Sequence, residues 1–183
     1  MNTPEVYGRL DQAAQPVLAV SGSKNTGKTW LLEHLVSILA GAGVRAAVIK
    51  HDGHEFEADV PGTDSHRMKK AGAFGTVVYS GTRFALVKDQ AGLEARDFFG
   101  YFPEADILLL EGQKNSAYPK IEVLRQEISC SPVCSPETVL AYVADCQVSQ
   151  QGSREPRQVF AFDQLDEVAE LAIHHMDAVF FKN

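Results

Sequence analysis

The residues best suited to chemistry stand together at 22 to 29, Gly22-Ser23-Lys24-Asn25-Thr26-Gly27-Lys28-Thr29, the complete pattern G-x-x-x-x-G-K-[ST]. In this pattern free backbone N–H groups and the positive end of a helix dipole cradle phosphate oxygens. Gly22 and Gly27 permit the tight turn and close approach to the anion. Lys28 reaches terminal phosphate oxygens and Thr29 offers a hydroxyl to Mg²⁺. The ion needs further carboxylate or water oxygens, and hydrolysis or transfer needs a group that positions the nucleophile. Two acids meet that need by their place in the chain. Asp52 follows the apolar run Ala46-Ala47-Val48-Ile49, and Glu111 ends Ile107-Leu108-Leu109-Leu110. Both therefore emerge where open α/β sheets bind ligands, beyond the carboxyl ends of strands. A Walker B strand usually ends in Asp; this one ends in Glu. Asp106 stands at its wrong end, where a cap or a solvent-facing position is expected.

His51 and His54 flank Asp52 and are expected to touch a phosphate or a ring system rather than to hold a metal. His66, Arg67, Lys69 and Lys70 form a basic cluster on the next short helix, read either as an anion site for a second ligand or as a solvated face. Asp145, after Ala141-Tyr142-Val143-Ala144, is placed to accept from guanine N1 and N2 or to cap a strand end. No Asn-Lys-x-Asp is present, so the residues leave GTP and ATP both open. Lys24 is not in the place of the signature lysine of deviant Walker A ATPases. No arginine finger is apparent in cis near the loop. Cys130, Cys134 and Cys146 read as ordinary reduced thiols in a turn-rich connector, not as a disulfide framework or metal site.

The elements that must position these groups are legible in the periodicity. Val17-Leu18-Ala19-Val20 suits a buried strand before the loop. Trp30, Leu31, Leu32, Leu35, Val36, Ile38 and Leu39 recur at helical spacing until Gly41-Ala42-Gly43. Arg45 to Lys50 reads as a second buried strand in a right-handed parallel crossover. The polar stretch His51 to Asp64 is a functional loop, and Thr63 or Asp64 caps a short helix through Met68 to Ala71. Gly75 to Ser80 and Arg83 to Val87 form a β-hairpin, which predicts a mixed sheet. A helix at Leu93 to Phe99, strands at Lys120–Arg125, Val139–Val143 and Gln158–Phe160, and a final helix capped by Asp163 complete the pattern. Residues 147 to 157 are expected to be mobile, and residues 1 to 15 to be an extension. The expectation is one α/β domain of three layers, with a mostly parallel central sheet, an added hairpin and helices on both faces.

Composition narrows the function further. A chain of 183 residues, 45% hydrophobic and 22% charged, carries a real core. Its formal net charge of −7 argues against general nucleic-acid binding. No apolar run approaches membrane-spanning length and residues 1 to 15 lack an apolar signal core, so a cytoplasmic location is expected.

The motifs follow one another in a telling order: Gly22 to Thr29, Ile49-Lys50-His51-Asp52, Pro61-Gly62-Thr63-Asp64-Ser65 with Ala71-Gly72-Ala73, Leu110-Glu111-Gly112, and Pro119-Lys120-Ile121-Glu122-Val123. Over roughly residues 16 to 145 the chain resembles the molybdopterin-guanine dinucleotide biosynthesis protein B family. The resemblance implies a P-loop NTPase fold, a homodimer, GTP bound with Mg²⁺, weak GTPase activity, and assistance to the guanylyltransferase that attaches GMP to molybdopterin. It implies that the loop from Gly22 through Ser23, Lys24, Asn25 and Thr26 to Thr29, with Trp30, holds GTP. Thr29, Asp52 and Glu111 are the implied Mg²⁺ group, with Lys28, Glu111 and Asp52 acting on the phosphates. His51, Asp64 and Ser65 are implied to lie near the nucleotide or a bound pterin; Asp145 is a candidate nucleotide contact from its place at the strand end, and Arg67, Lys69 or Lys70 is expected to receive the molybdopterin phosphate. The chain departs from the family at Gly53, where a histidine is usual, and at Gln113, where an aromatic is usual. A small-molecule kinase and a metallochaperone GTPase are the rival readings.

Overall fold

The computed structural model describes residues 15–53, 56–150 and 155–180, and contacts divide the chain into two compact units, Met1–His51 with Ala95–Asn183, and Asp52–Glu94. The first unit is built on six strands: β1 (Val17–Ser21), β2 (Ala46–Lys50), β5 (Ile107–Glu111), β6 (Lys120–Leu124), β7 (Val139–Ala144) and β8 (Gln158–Phe160). Their order is β2-β5-β1-β6-β7-β8, and every pairing is parallel. β1 is central and wholly buried, as its continuous apolar run requires. β2, expected to be buried, is an edge strand and half exposed, with Val48 open to solvent.

One face of the sheet packs Leu18, Val20, Leu109, Ile121 and Val143 against both long helices, α1 (Lys28–Gly41) and α3 (Leu165–Phe180). Leu31, Leu35 and Leu39 supply the α1 stripe, and Val168, Ala169 and Ala172 that of α3. Gly43, at φ 80, ends α1 with the Val44 N–H turned back to the Leu39 carbonyl. The opposite face packs on shorter segments. Ala95 and Phe99 of a 3-10 turn (Ala95–Tyr101, in place of the expected helix at 93 to 99) pack on Val17, Ala19, Leu108 and Leu110. Farther along, Cys134 of the β6–β7 connector packs on Leu124, Val139 and Tyr142. α3 begins at Leu165, so Gln164 and not Asp163 precedes it, and the Gln164 carbonyl accepts from the Val168 N–H.

The second unit holds α2 (Asp64–Lys70) and the hairpin β3 (Gly75–Tyr79) with β4 (Phe84–Lys88). Thr63 caps α2, its hydroxyl accepting from the His66 N–H. The hairpin forms in the register its turn demands and, among the described residues, makes a two-stranded sheet of its own. The six-stranded sheet is therefore parallel throughout rather than mixed. Of the segment expected to be mobile, residues 151–154 lie outside the described residues; just before them, Gln150 exchanges two hydrogen bonds with the backbone of Arg157, which ties the flanks together. Of the expected extension only Gln15 is described, and its amide donates to the Phe102 and Pro103 carbonyls.

Candidate functional site

Parallel pairing brings the ends of β1, β5 and β2 side by side: Val20 stands opposite Glu111, and Glu111 opposite Lys50. The loop leaves β1 at Ser21 and enters α1 at Lys28, so its turn sits over the carboxyl edge of the sheet. Three residues of the loop hold positive φ: Gly22 at 137, Asn25 at 65 and Gly27 at 99. A Cβ on Gly22 would lie 2.4 Å from the Val123 carbonyl oxygen, so only glycine lets the loop cross β6 so closely. Gly27 precedes α1 with no side-chain cap, and the helix's first N–H groups face the loop. Thr26 is fully buried and its hydroxyl donates to the Ser23 carbonyl, bracing the turn from inside. Ser23 is half-buried, while Lys24 and Asn25 are exposed at the tip.

Lys28 spans this turn, its Nζ donating to the Ser23 carbonyl at 2.5 Å. Burial lowers the pKa of its ammonium, the nearby Glu111 carboxylate works against that shift, and Lys50 adds to it. The Thr29 hydroxyl donates to Glu111 Oε1 at 2.9 Å, and Lys50 Nζ lies 3.3 Å from the same oxygen. A hydroxyl and a carboxylate held together at the mouth of a phosphate loop are the hard oxygen donors that Mg²⁺ selects, and the residues fit that ion. The His51 N–H donates to the Glu111 carbonyl at 3.4 Å, and the His51 side chain is exposed. After Glu111 the chain turns sharply at Gly112 (φ 98) and Gln113 (φ 60), and the buried Ser21 hydroxyl donates to the Gly112 carbonyl.

Under this edge lies a buried polar group that the sequence did not announce. Lys120 and Glu122 alternate with Ile121 and Val123 along β6, and all four are inaccessible. The Lys120 ammonium donates to the Ser116 carbonyl at 2.6 Å, anchoring the loop that follows Glu111. Glu122 accepts from the Val133 and Cys134 N–H groups at 2.6 and 3.3 Å, anchoring the β6–β7 connector. Burial beside Glu122 pushes the Cys134 thiol up to about 12. Burial also lowers the Lys120 pKa.

On the other side of the loop stands Arg125, just past β6. Its guanidinium lies 3.8 Å from the Phe162 ring centroid, and a Cβ on Gly27 would sit 3.3 Å from Nη2. An arginine thus lies in cis beside the loop; its stacking partner is remote in sequence and no local pattern points to it. Arg125 Nη1 is 3.4 Å from Asp145 Oδ2, while Asp145 Oδ1 accepts from the Gln126 N–H at 2.7 Å. Trp30 packs on Phe162 and His34 at centroid distances of 5.7 and 4.3 Å. Asp106 caps the entry to β2, its Oδ2 accepting from the Arg45 N–H at 2.8 Å, and also pairs with the Arg45 guanidinium at 2.9 Å.

Asp52, Asp64, Ser65 and Arg67 belong to the second unit. Asp52 and Asp64 are exposed, Asp64 pairs with Arg67 at 3.6 Å, and Ser65 donates to Asp59 at 3.0 Å. The basic cluster expected on α2 does not survive as a unit. His66 is turned inward: Nδ1 accepts from the Gly62 N–H, so the ring carries its proton on Nε2, toward Glu57. Lys69 pairs with Asp89. His54, half of the histidine pair, lies outside the described residues. The cysteines depart from expectation more sharply. Cys130 and Cys146 form a disulfide, their Cα atoms 6.1 Å apart, because the connector folds back at Arg125–Ser129 against the chain leaving β7; Cys134 is free and buried. Among the described residues no three His, Cys, Asp or Glu side chains converge as a metal-ligand group, and no helix is long and apolar enough to cross a membrane.

With the site in view, known proteins can be set beside it. The family model described as molybdopterin guanine dinucleotide synthesis protein B matches residues 17–145. The molybdopterin-guanine dinucleotide biosynthesis adapter protein of Escherichia coli is 37% identical over 115 residues, 60% of this chain and 66% of that protein. Its Haemophilus influenzae namesake is 34% identical over 117 residues, 62% of this chain and 66% of that protein. The matched segment thus spans just under two thirds of those relatives. Among solved structures, Bacillus subtilis MobB superposes with a TM-score of 0.69 at 26% identity, over 87% of this chain and 97% of that one. A Bacillus stearothermophilus MobB homologue gives 0.63 at 21%, over 88% and 98%.

Proposed function

The chain belongs to the molybdopterin guanine dinucleotide synthesis protein B family, and on that premise we propose that it is a GTP-binding adapter of molybdenum-cofactor maturation. It holds Mg²⁺-GTP on Gly22–Thr29, hydrolyses it slowly, and assists a guanylyltransferase that joins GMP to molybdopterin. The observation that carries this reading is the hydrogen bond from Thr29 to Glu111 beside Lys28, a phosphate loop meeting a strand-end carboxylate. In this scheme the loop amides and Lys28 bind the phosphates. Thr29 and Glu111 would hold Mg²⁺, which supplies charge neutralisation at the terminal phosphates. Glu111 orients water. Its carboxylate is shared with Lys50 Nζ and with the Thr29 hydroxyl.

Molybdopterin is assigned to the second unit, where a concavity of about 470 Å³ is lined by Phe56, Asp59, His66, Lys69 and Lys70 among others. Phe56 offers a ring face and Lys70 a cation. The hairpin exposes Val77, Val78, Tyr79, Phe84 and Leu86, an apolar strand pair whose free edges suit a second copy of the chain. The proposal therefore includes a homodimer. Calorimetric titration of GTP, ATP and molybdopterin, each with Mg²⁺, tests the whole scheme. Submicromolar to micromolar GTP binding is expected, weakened at least about tenfold in Lys28→Ala through loss of charge-assisted hydrogen bonds. Equal binding by Lys28→Ala, or none by the wild type, would refute it.

A further inference from the structure

The ends of the strands divide the loop's surroundings into two sides. β5 and β2 lie on one side of β1 and bring Glu111 and Lys50 to Thr29. β6, β7 and β8 lie on the other, and from their ends come Arg125, Asp145 and Phe162. With the terminal phosphates at Lys28, Thr29 and Glu111, the β5 side of β1 is taken up by Glu111 and Lys50, and the carboxyl ends of β6 to β8 lie open to the nucleoside. There the structure offers a built surface. Arg125 is stacked on Phe162 at 3.8 Å, tethered to Asp145 at 3.4 Å, and pressed close to Gly27. Trp30, packed on Phe162, extends the aromatic wall.

We propose that the Arg125–Phe162 pair is the platform for the nucleoside end of a bound purine nucleotide, and that Arg125 is a binding and specificity residue rather than an arginine finger. This rests on the proposal that the loop holds a nucleotide. Three features favour it. The guanidinium is planar and already stacked, so it presents a flat cationic face that loses little freedom when a base is laid against it. It is held from two sides by Phe162 and by Asp145, both reached from the β6 to β8 side, whereas the Thr29–Glu111 contact is made from the β5 side. And Asp145, held by the Gln126 N–H, keeps an acceptor beside the platform for the N–H edge of a 2-amino-6-oxopurine.

The test measures Mg²⁺-nucleotide affinity and single-turnover hydrolysis separately in the full chain, for wild type, Arg125→Ala, Arg125→Lys and Phe162→Leu, with melting curves taken without nucleotide to verify folding. Stacking contacts of this kind predict a Kd raised about tenfold in Arg125→Ala and Phe162→Leu, with the rate constant of bound nucleotide within about twofold. Arg125→Lys restores charge without the plane and is expected to recover little. Unchanged affinity in Arg125→Ala, full rescue by lysine, or a fall in hydrolysis rate at unchanged Kd would overturn the platform while leaving the nucleotide reading intact. No nucleotide binding by the wild type would overturn both.

Discussion

Gly22 is the residue on which the geometry of the phosphate loop turns, and Gly22→Ala tests that directly. Two costs add at this position. Its φ of 137 lies where a side chain is strained, and backbone strain of that kind costs about 1–3 kcal/mol. The new Cβ would also meet the Val123 carbonyl oxygen at 2.4 Å, and that oxygen belongs to a strand hydrogen-bonded on both sides, to β1 and to β7. Neither neighbour can yield without disturbing the sheet, so overpacking adds roughly 1–3 kcal/mol. Together they predict about 2–6 kcal/mol, which for a chain of this size lowers the melting temperature by about 5–20 °C. Gly43→Ala is the matched control: φ is again positive, at 80, but nothing lies within 4 Å of the added Cβ. It pays only the left-handed strain of about 1–2 kcal/mol, partly offset by a stiffer unfolded chain. The assay is thermal unfolding of both variants with and without Mg²⁺-GTP. Gly22→Ala should melt well below Gly43→Ala and lose the ligand-induced upshift, worth about 2.7 kcal/mol at a hundredfold excess over Kd. If the two variants melt together, or Gly22→Ala keeps the upshift, the close crossing of loop and β6 is wrong.

The disulfide closes a loop with a sequence separation of 16, so reduction or Cys130→Ser should cost about 3 kcal/mol, and peptide mapping without reductant should recover Cys130 linked to Cys146. Three titratable thiols in unreduced, denatured protein would refute it. Cys134, raised from 9.0 to about 12, should be alkylated at pH 8 about 10³-fold more slowly than an ordinary thiol, before any steric protection is counted. Because the folded state keeps this proton longer than the unfolded one, the thiol's contribution to stability is complete below about pH 9 and is lost as pH rises toward about 12. Cys134→Ala should flatten that alkaline decline, and an unaltered decline would count against the burial. Glu111→Gln keeps the shape but removes the charge near Thr29 and Lys50; GTP hydrolysis, read by phosphate release, should fall about 10²-fold, and an undiminished rate would remove Glu111 from the site.

What the sequence disclosed and what it hid divide along range. The loop, β1, α1 and the Glu111 strand are written in contiguous residues, because glycine spacing, an apolar run and a 3.6-residue stripe are all local signals. The same holds for the hairpin, whose turn at Ser80-Gly81-Thr82 fixes its register, but not for its neighbours: a strand's period tells which face is apolar, not which strand lies beside it. Hence the mixed sheet was expected and a parallel one formed. The apolar run Ala46 to Ile49 points to a buried strand, yet sheet order puts β2 at the edge. The cluster on α2 failed for a related reason. Charge in a row looks like one surface, but helical rotation turns His66 inward and leaves Arg67 outside, and Asp89, which takes Lys69, is far along the chain. The cysteine pairing likewise depends on where the β6–β7 connector returns, which spacing alone does not encode.

The two sides of the loop bear on why the proposed turnover is slow. Fast phosphoryl transfer needs a charge aimed at the terminal phosphate, and an arginine supplies about 10³–10⁵ in rate when it is so placed. The arginine nearest this loop is already occupied by Phe162 and Asp145 on the β6 side, while the carboxylate on the β5 side is shared with a lysine. Moving Arg125 across the loop would break its stack and its ion pair together, which makes it a poor substitute for a finger from outside. Rate acceleration is therefore expected from a partner protein that brings its own cation to Thr29 and Glu111. The deciding measurement is the hydrolysis rate of Arg125→Ala with the guanylyltransferase added. Acceleration equal to that of wild type, once nucleotide is saturating, supports an external charge; acceleration abolished by the substitution would mean that the partner works by releasing Arg125.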